Sequence, residues 1–251
     1  MLSISRRQIH TRQRLAIKVL SFDAMDTLIR LRESPATVYS RQAEKMGLQV
    51  DESLVKSAFP SAFSRLAHEF PGFGHSSVGA ERWWAHLIHA VVQAGAKSPP
   101  SKAKLESLSK FLYEYYKDPQ HWKPCDEKIP EVLEKLRARK IPLAIISNFD
   151  GRLRDLLKSL KMADYFEYIA LSGELGHDKP DPRIFQTVID HFKLATPAEL
   201  LHIGDHPRKD YEAARNFGAH ALLYDPKQTT DDDKNRISDF ESIFEFLPVN
   251  A

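Results

Sequence analysis

Residues 15–28 read LAIKVLSFDAMDTL, an apolar run that breaks off at a carboxylate. From Leu15 to Phe22 apolar and β-branched side chains dominate, the pattern of a strand buried on both faces, and Asp23 stands where such a strand leaves the core. The same signature returns downstream. IPLAIIS at 141–147 follows IPEVLEKLRARK, whose Val132, Leu133 and Leu136 recur at helical spacing. Helix and strand then alternate: RLRDLLKSLKMADYF, FEYIALS, PRIFQTVIDHFKL, ELLHIGD, YEAARNFGA and HALLYD. Such alternation predicts a Rossmann-like α/β core, a parallel sheet with helices on both faces and ligands bound beyond the carboxyl ends of the strands. Asp23, Ser147, Ser172 and Asp205 lie at such ends.

The alternation is interrupted between Arg32 and Trp122, where helical periodicity replaces strand-like runs. The predicted helices are PATVYSRQAEKM with Pro35 near its first position, ESLVKSAFPSAFSRLAHEF bent at Pro60, GAERWWAHLIHAVVQA, and KAKLESLSKFLYEYYK. FPGFGHSSVG, residues 70–79, is a Gly- and Ser-rich loop between two of them. The predicted organisation is a basic tail at 1–14, an α/β core from 15–31 and 123–251, and a helical cap at 32–122.

Composition excludes several classes. Hydrophobic residues make up 42% and charged residues 28%, which fits a folded globular chain and not a disordered one. The apolar runs are far shorter than the roughly 20 residues of a membrane span, so no membrane partner is expected. One cysteine, Cys125, allows no intrachain disulfide and suits a reducing compartment, cytoplasmic or nuclear. The first 22 residues carry five basic and no acidic side chains, leaving the rest three charges negative although the chain totals +2. A solvated tail accounts for this leader, and a mitochondrial transit peptide is the alternative. It is too small a patch to argue for nucleic acid, and nothing fixes an oligomeric state.

Four motifs then fall in order: FDAMDTL from Phe22, ISN at 146–148, DKPDPRIF around Lys179, and IGDHPRKD at 203–210. Together with the helical insertion after the first of them, they resemble the haloacid dehalogenase superfamily over the whole fold. Singly, each has an ordinary structural reading, as a turn-forming Asp, a strand-end hydroxyl or a solvated lysine. Their joint order favours chemistry. The resemblance implies Asp23 as nucleophile and Mg²⁺ as cofactor, held by Asp23, the Met25 carbonyl, Asp205 and Asp210. It also implies Ser147, Asn148 and Lys179 around a small phosphorylated substrate. That set suits phosphoryl transfer, which requires a nucleophile, a hard cation and fixed positive charge around the equatorial oxygens.

Met25 departs from the pattern. Phosphatases of that superfamily usually place a second Asp two residues after the nucleophile, where it protonates the leaving alkoxide, and a thioether cannot do so. Asp26 is one residue further on, and in an extended segment its side chain points the other way. Three functions therefore follow: a weak Mg²⁺-dependent phosphatase, a dehalogenase whose leaving halide requires no proton, or a non-catalytic phosphate-ligand binder or interaction module. The metal-type carboxylate Asp205 speaks against the second.

Minor candidates have blander explanations. His86 and His89 lie three apart on a predicted helix without a supporting Cys or Glu cluster, so ordinary helix polarity accounts for them. Of Trp83 and Trp84, one should pack inside the helical segment and the other face a cleft. Phe73 and His75 are candidate substrate contacts, and Asp231, Asp232 and Asp233 read as a solvated loop.

Overall fold

A computed structural model describes residues 17–228 and 235–247; the basic tail at 1–14 and the acidic run at 231–233 lie outside the described residues. In chain order the elements are β1 (Val19–Phe22), β2 (Ile29–Leu31), α1 (Pro35–Lys45), α2 (Glu52–Glu69), the short turn α3 (Pro71–Gly74), α4 (Ala80–Gly95) and α5 (Lys102–Tyr115). Then come β3 (Trp122–Pro124), α6 (Ile129–Ala138), β4 (Leu143–Ser147), α7 (Arg152–Ser159), β5 (Tyr168–Leu171), the short α8 (Ser172–Leu175), α9 (Pro182–Phe192) and β6 (Leu200–Gly204). A π-helical turn over Pro207–Glu212, α10 (Ala213–Phe217), β7 (His220–Tyr224) and β8 (Arg236–Ile237) follow.

Six strands form a parallel sheet in the order β5-β4-β1-β6-β7-β8. Every residue of β1, β4 and β6 is buried, as continuous apolar strands covered on both faces must be. One apolar cluster joins α6 and α7 to one face of the sheet, and a second joins α9 and α10 to the other. After β1 the chain runs outward through β4 and β5, then crosses back to β6 on the opposite side of β1. β1 is thus the switch point, and the crevice for a ligand opens above its carboxyl end.

The segment between β2 and β3 is helical, and its apolar side chains form a separate cluster around Trp83, Leu87, Val91, Leu108 and Leu112. Its helices begin where the sequence says: Ser34 caps α1 ahead of Pro35, Asp51 caps α2 and Ser101 caps α5. Pro60 lies inside α2, which continues unbroken to Glu69. A two-stranded antiparallel pair escapes the sequence reading: β2 and β3, in register from Ile29↔Pro124 to Leu31↔Trp122, carry the chain into and out of the helices. β8 also escapes it. Among the described residues no helix is long and apolar enough to cross a membrane.

Candidate active site

Asp23 leaves the sheet with its backbone N–H still donating to the Ile203 carbonyl, 2.9 Å away, so the ladder between β1 and β6 fixes where the carboxylate starts. The chain then turns sharply: Leu28 and Ile29 both donate to the Ala24 carbonyl, and Asp26 adopts φ 57°. The segment is therefore not extended at Met25–Asp26, as the alternation argument assumed. An αL residue reverses the local direction, and Asp26 lines the same cleft as Asp23 and Met25.

Lys179 is the hub. Its ammonium is buried and all three N–H donors are matched, to Asp23 Oδ1 at 2.8 Å, Asp210 Oδ1 at 2.5 Å and the Ile146 carbonyl at 2.7 Å. The loop carrying it is clamped by Asn148, whose Oδ1 accepts from the Lys179 N–H at 2.7 Å and whose Nδ2 donates to the Lys179 carbonyl at 2.9 Å. One amide donor of Asn148 remains for the cleft that it lines. Ser147, at the end of β4, holds a buried hydroxyl without a hydrogen-bond partner of normal geometry, yet close enough to Asp23 to favour its charged form. A buried orphan hydroxyl beside a nucleophile position is a ready contact for a ligand oxygen.

Asp210 sits in the π-helical turn, a rare element often found at functional sites. Its Oδ2 accepts from the His206 N–H at 3.0 Å, while Oδ1 takes Lys179 and His202 Nε2, the latter at 3.2 Å. Gly204 makes this approach feasible, because a Cβ there would lie 2.3 Å from Asp210 Cγ. His202 is fully buried in β6 and extends the network beneath the sheet to Ser21, whose hydroxyl lies 2.8 Å from Nδ1. Thr27 serves Asp205 in two ways: its hydroxyl donates to Oδ1 at 3.3 Å and accepts from the Asp205 N–H at 3.0 Å. The sequence offered Thr27 as part of the FDAMDTL motif without its role towards Asp205, and His202 only as a polar residue within an apolar strand.

The electrostatics follow from these contacts. Burial pushes the Asp23 carboxyl above its ordinary range, and Lys179 pulls it back in part. Burial also opposes the Lys179 ammonium, but Asp210 and Asp23 outweigh it and raise its pKa. Asp210 is held well below the usual carboxylate range, because Lys179 and His202 overcome its desolvation. Burial lowers His202 and favours its neutral form, in which an Nε2–H can donate to Asp210 while Nδ1 accepts from Ser21. Asp205, half-buried, is pushed up to about 7, first by desolvation and then by the negative charges of Asp23 and Asp210. Ligating atoms of Asp23, Asp205 and Asp210 lie within 4.8 Å of one another. With all three carboxylates ionised around one ammonium, two surplus negative charges rest on hard oxygen donors, an arrangement that a divalent cation such as Mg²⁺ suits and would favour.

These residues surround a cleft of about 730 Å³, which Asp178, Arg208 and Lys209 also line. Helices of the insertion close its other side. Phe73 faces it, whereas His75 does not; its Nδ1 lies 3.1 Å from the Gly173 carbonyl, so it pins the loop to the core instead of meeting a ligand. Trp83 is buried among the helices with Nε1 donating to the Phe70 carbonyl, and Trp84 donates to Asp150 Oδ2 at 2.7 Å across to the core. His86 and His89 have no third ligand: the acidic trio is the metal-type cluster found among the described residues.

The family model for haloacid dehalogenase-like hydrolases matches residues 17–218. The chain belongs to the haloacid dehalogenase-like hydrolase family. It is 34% identical to haloacid dehalogenase-like hydrolase domain-containing protein 3 of Bos taurus over 213 residues, covering 84% of this chain and 82% of that one. It is 31% identical to the rhythmically expressed gene 2 protein of Drosophila melanogaster, covering 91% and 93%. In structure it is similar to a 2-haloacid dehalogenase from Pseudomonas syringae (TM-score 0.63, 25% identity, 92% of this chain and 97% of that one). A HAD-hydrolase from Bacillus subtilis, solved with magnesium bound, shares the fold (TM-score 0.69, 17% identity, 94% and 99%).

Proposed function

We propose that this haloacid dehalogenase-like hydrolase is a Mg²⁺-dependent phosphatase acting through Asp23 on a small phosphorylated substrate. The observation that carries the reading is the buried Asp23–Lys179–Asp210 pair system with Asp205 half-open beside it, a site that holds a nucleophile, fixed positive charge and surplus negative charge together. In this reading an Asp23 oxygen attacks phosphorus, the P–O bond to the alcohol breaks, and the alkoxide leaves with the electron pair. Water then cleaves the Asp23 phosphate, releasing inorganic phosphate and restoring the carboxylate. Asp23, the Met25 carbonyl and Asp205 would hold the ion, with Asp210 beside them; when bound, Mg²⁺ supplies charge neutralisation at the phosphoryl oxygens. Lys179 positions Asp23 and offsets charge developing in the transition state, while Ser147 and the spare Asn148 N–H receive phosphoryl oxygens.

The helical insertion acts as a cap, since its helices and the core together line the cleft. Met25 leaves the leaving group without a proton donor at the usual position, so the reading predicts slow hydrolysis of alkyl esters. Halide displacement has less support, because Asp205 and its Thr27 support would have no task in it. The test is phosphate release from sugar, nucleotide and aryl phosphates with and without Mg²⁺, against Asp23→Asn as the blank. Metal-dependent release that is lost in the variant is the expected result. Folded protein that releases none from any compound overturns it in favour of a phosphate-binding module.

A further inference from the structure

Next to the carboxylate cleft, between the helical insertion and the core, lies a second cavity of about 210 Å³. The two are adjacent and share a wall: Met25, Phe63, Phe73 and Asn148 line both. Nine of the sixteen residues that line the smaller chamber are aromatic and none is acidic, so it offers ring faces and edges and no counter-charge for an ammonium. Its single cation is already engaged. Arg152 donates from Nε to Asp150 Oδ1 at 2.9 Å and from a terminal nitrogen to Oδ2 at 2.7 Å. It also reaches the Tyr113 carbonyl at 3.2 Å and lies 4.1 Å from the Tyr113 ring centroid. A second phosphate, a carboxylate or a polyhydroxylated sugar would find few partners there. Other polar side chains among the lining residues are Asn148 and the tyrosines Tyr39, Tyr113 and Tyr116, the last with a hydroxyl buried without a partner, enough for one polar substituent and not for a polar ligand.

Size narrows the occupant. A dry cavity of about 150 Å³ takes benzene, and drug-sized ligands occupy about 300 Å³ or more. A volume of 210 Å³ falls between and fits one ring with small substituents. Met25 stands at the junction with the cleft, where a thioether makes favourable contacts with a ring and a carboxylate would not. The leaving-group chemistry agrees. A phenolate, with a pKa near 10 as for tyrosine, departs without the proton that an alkoxide nearer to water's 15.7 requires.

We propose that the chamber receives the alcohol part of the substrate, and that the substrate is a phosphate monoester of a single-ring aromatic alcohol, with Met25 as a specificity-determining residue. This rests on the phosphatase reading above. Asp23 forms the new O–P bond, the aryl O–P bond breaks, and the phenolate keeps the electron pair and takes its proton from water.

Three substrates separate the possibilities: phenyl phosphate, glycerol phosphate and acetyl phosphate, the last a better leaving group that carries no ring. With Mg²⁺, kcat/KM for phenyl phosphate is expected to exceed that for glycerol phosphate by about 100-fold, with a KM about tenfold below that for acetyl phosphate. Leu31 is half-buried on the chamber wall, so Leu31→Trp should lower the phenyl-to-acetyl ratio of kcat/KM about tenfold, and Leu31→Ala should shift preference towards 1-naphthyl phosphate. Titration calorimetry with 4-methylphenol, without metal, should give a binding heat that Leu31→Trp removes. Asp23-dependent hydrolysis of acetyl phosphate with no preference for a ring, or ratios unmoved in both folded variants, overturns the aryl proposal and leaves the phosphatase standing. No 4-methylphenol heat also overturns it. If none of the three esters is hydrolysed, the phosphatase reading falls and this proposal with it.

Discussion

In the floor of the cleft every donor of Lys179 is matched and Asp210 accepts three hydrogen bonds, while in the chamber beside it one ion pair serves a wall of rings. The floor is held by directional, charge-assisted contacts, which tolerate no missing partner. The chamber is held by area and shape, which tolerate exchange so long as volume is conserved. A change in the floor should therefore abolish function and cost stability together, and a change in the chamber should alter what is bound while the fold persists.

The strongest challenge to that contrast is Lys179→Met, which leaves Asp23 and Asp210 facing each other in a buried site. Breaking a buried pair costs about 3–5 kcal/mol, and at this size the melting temperature should drop by roughly 6–20 °C, with turnover lost. A fall of under 2 °C on calorimetric melting would mean that the floor is not held by this network. Met25→Asp comes next. It should raise kcat/KM for an alkyl phosphate by about 10² to 10⁴ and that for an aryl phosphate far less; equal gains would detach residue 25 from leaving-group protonation.

Asp150→Asn probes the chamber's own ion pair. Contacts with Arg152 and Trp84 overcome the burial of Asp150 and hold its pKa below the ordinary value. A depressed folded-state pKa means that the stabilisation is present above the unfolded value of about 3.9 and fades as pH falls through the folded one. At pH 7 the variant should lose about 2 kcal/mol, and its urea midpoint should converge with the parent's towards pH 3; a gap constant with pH would exclude a charge effect. The smallest effect is expected from Asp26→Asn. Asn accepts the αL backbone at this position, and the side chain is exposed at the lip of the cleft. The alkyl-to-aryl ratio of kcat/KM should move less than about twofold, and a larger loss for alkyl esters would identify Asp26 as the proton donor.

Strands β1, β4, β5, β6 and β7 were legible because each is a predominantly apolar run, and Asp23, Ser147, Lys179 and Asp205 stood out because four motifs fall in order, each alone having an ordinary structural reading. The pairing of β2 with β3 was not, since three residues carry no period and the partners lie over ninety positions apart. Asp26 misled for a local reason: nothing in AMDT announces a positive φ at a residue other than Gly. The chamber was illegible for a different one. Tyr39, Phe59, Trp84, Tyr113, Trp122 and Phe149 come from separate elements, and each alone reads as an ordinary packing residue. Only assembly shows that they leave a space between them.

Leu31 and Trp122 lie directly opposite each other in the β2–β3 pair, so the ninety residues between them stand where a two-residue hairpin turn would otherwise close the ribbon. Seen from the sheet, the whole helical segment is an enlarged loop whose two feet share one hydrogen-bonded base. The registration of β1, β4 and β6 that holds Asp23, Ser147 and Asp205 in line is made without any residue of this loop.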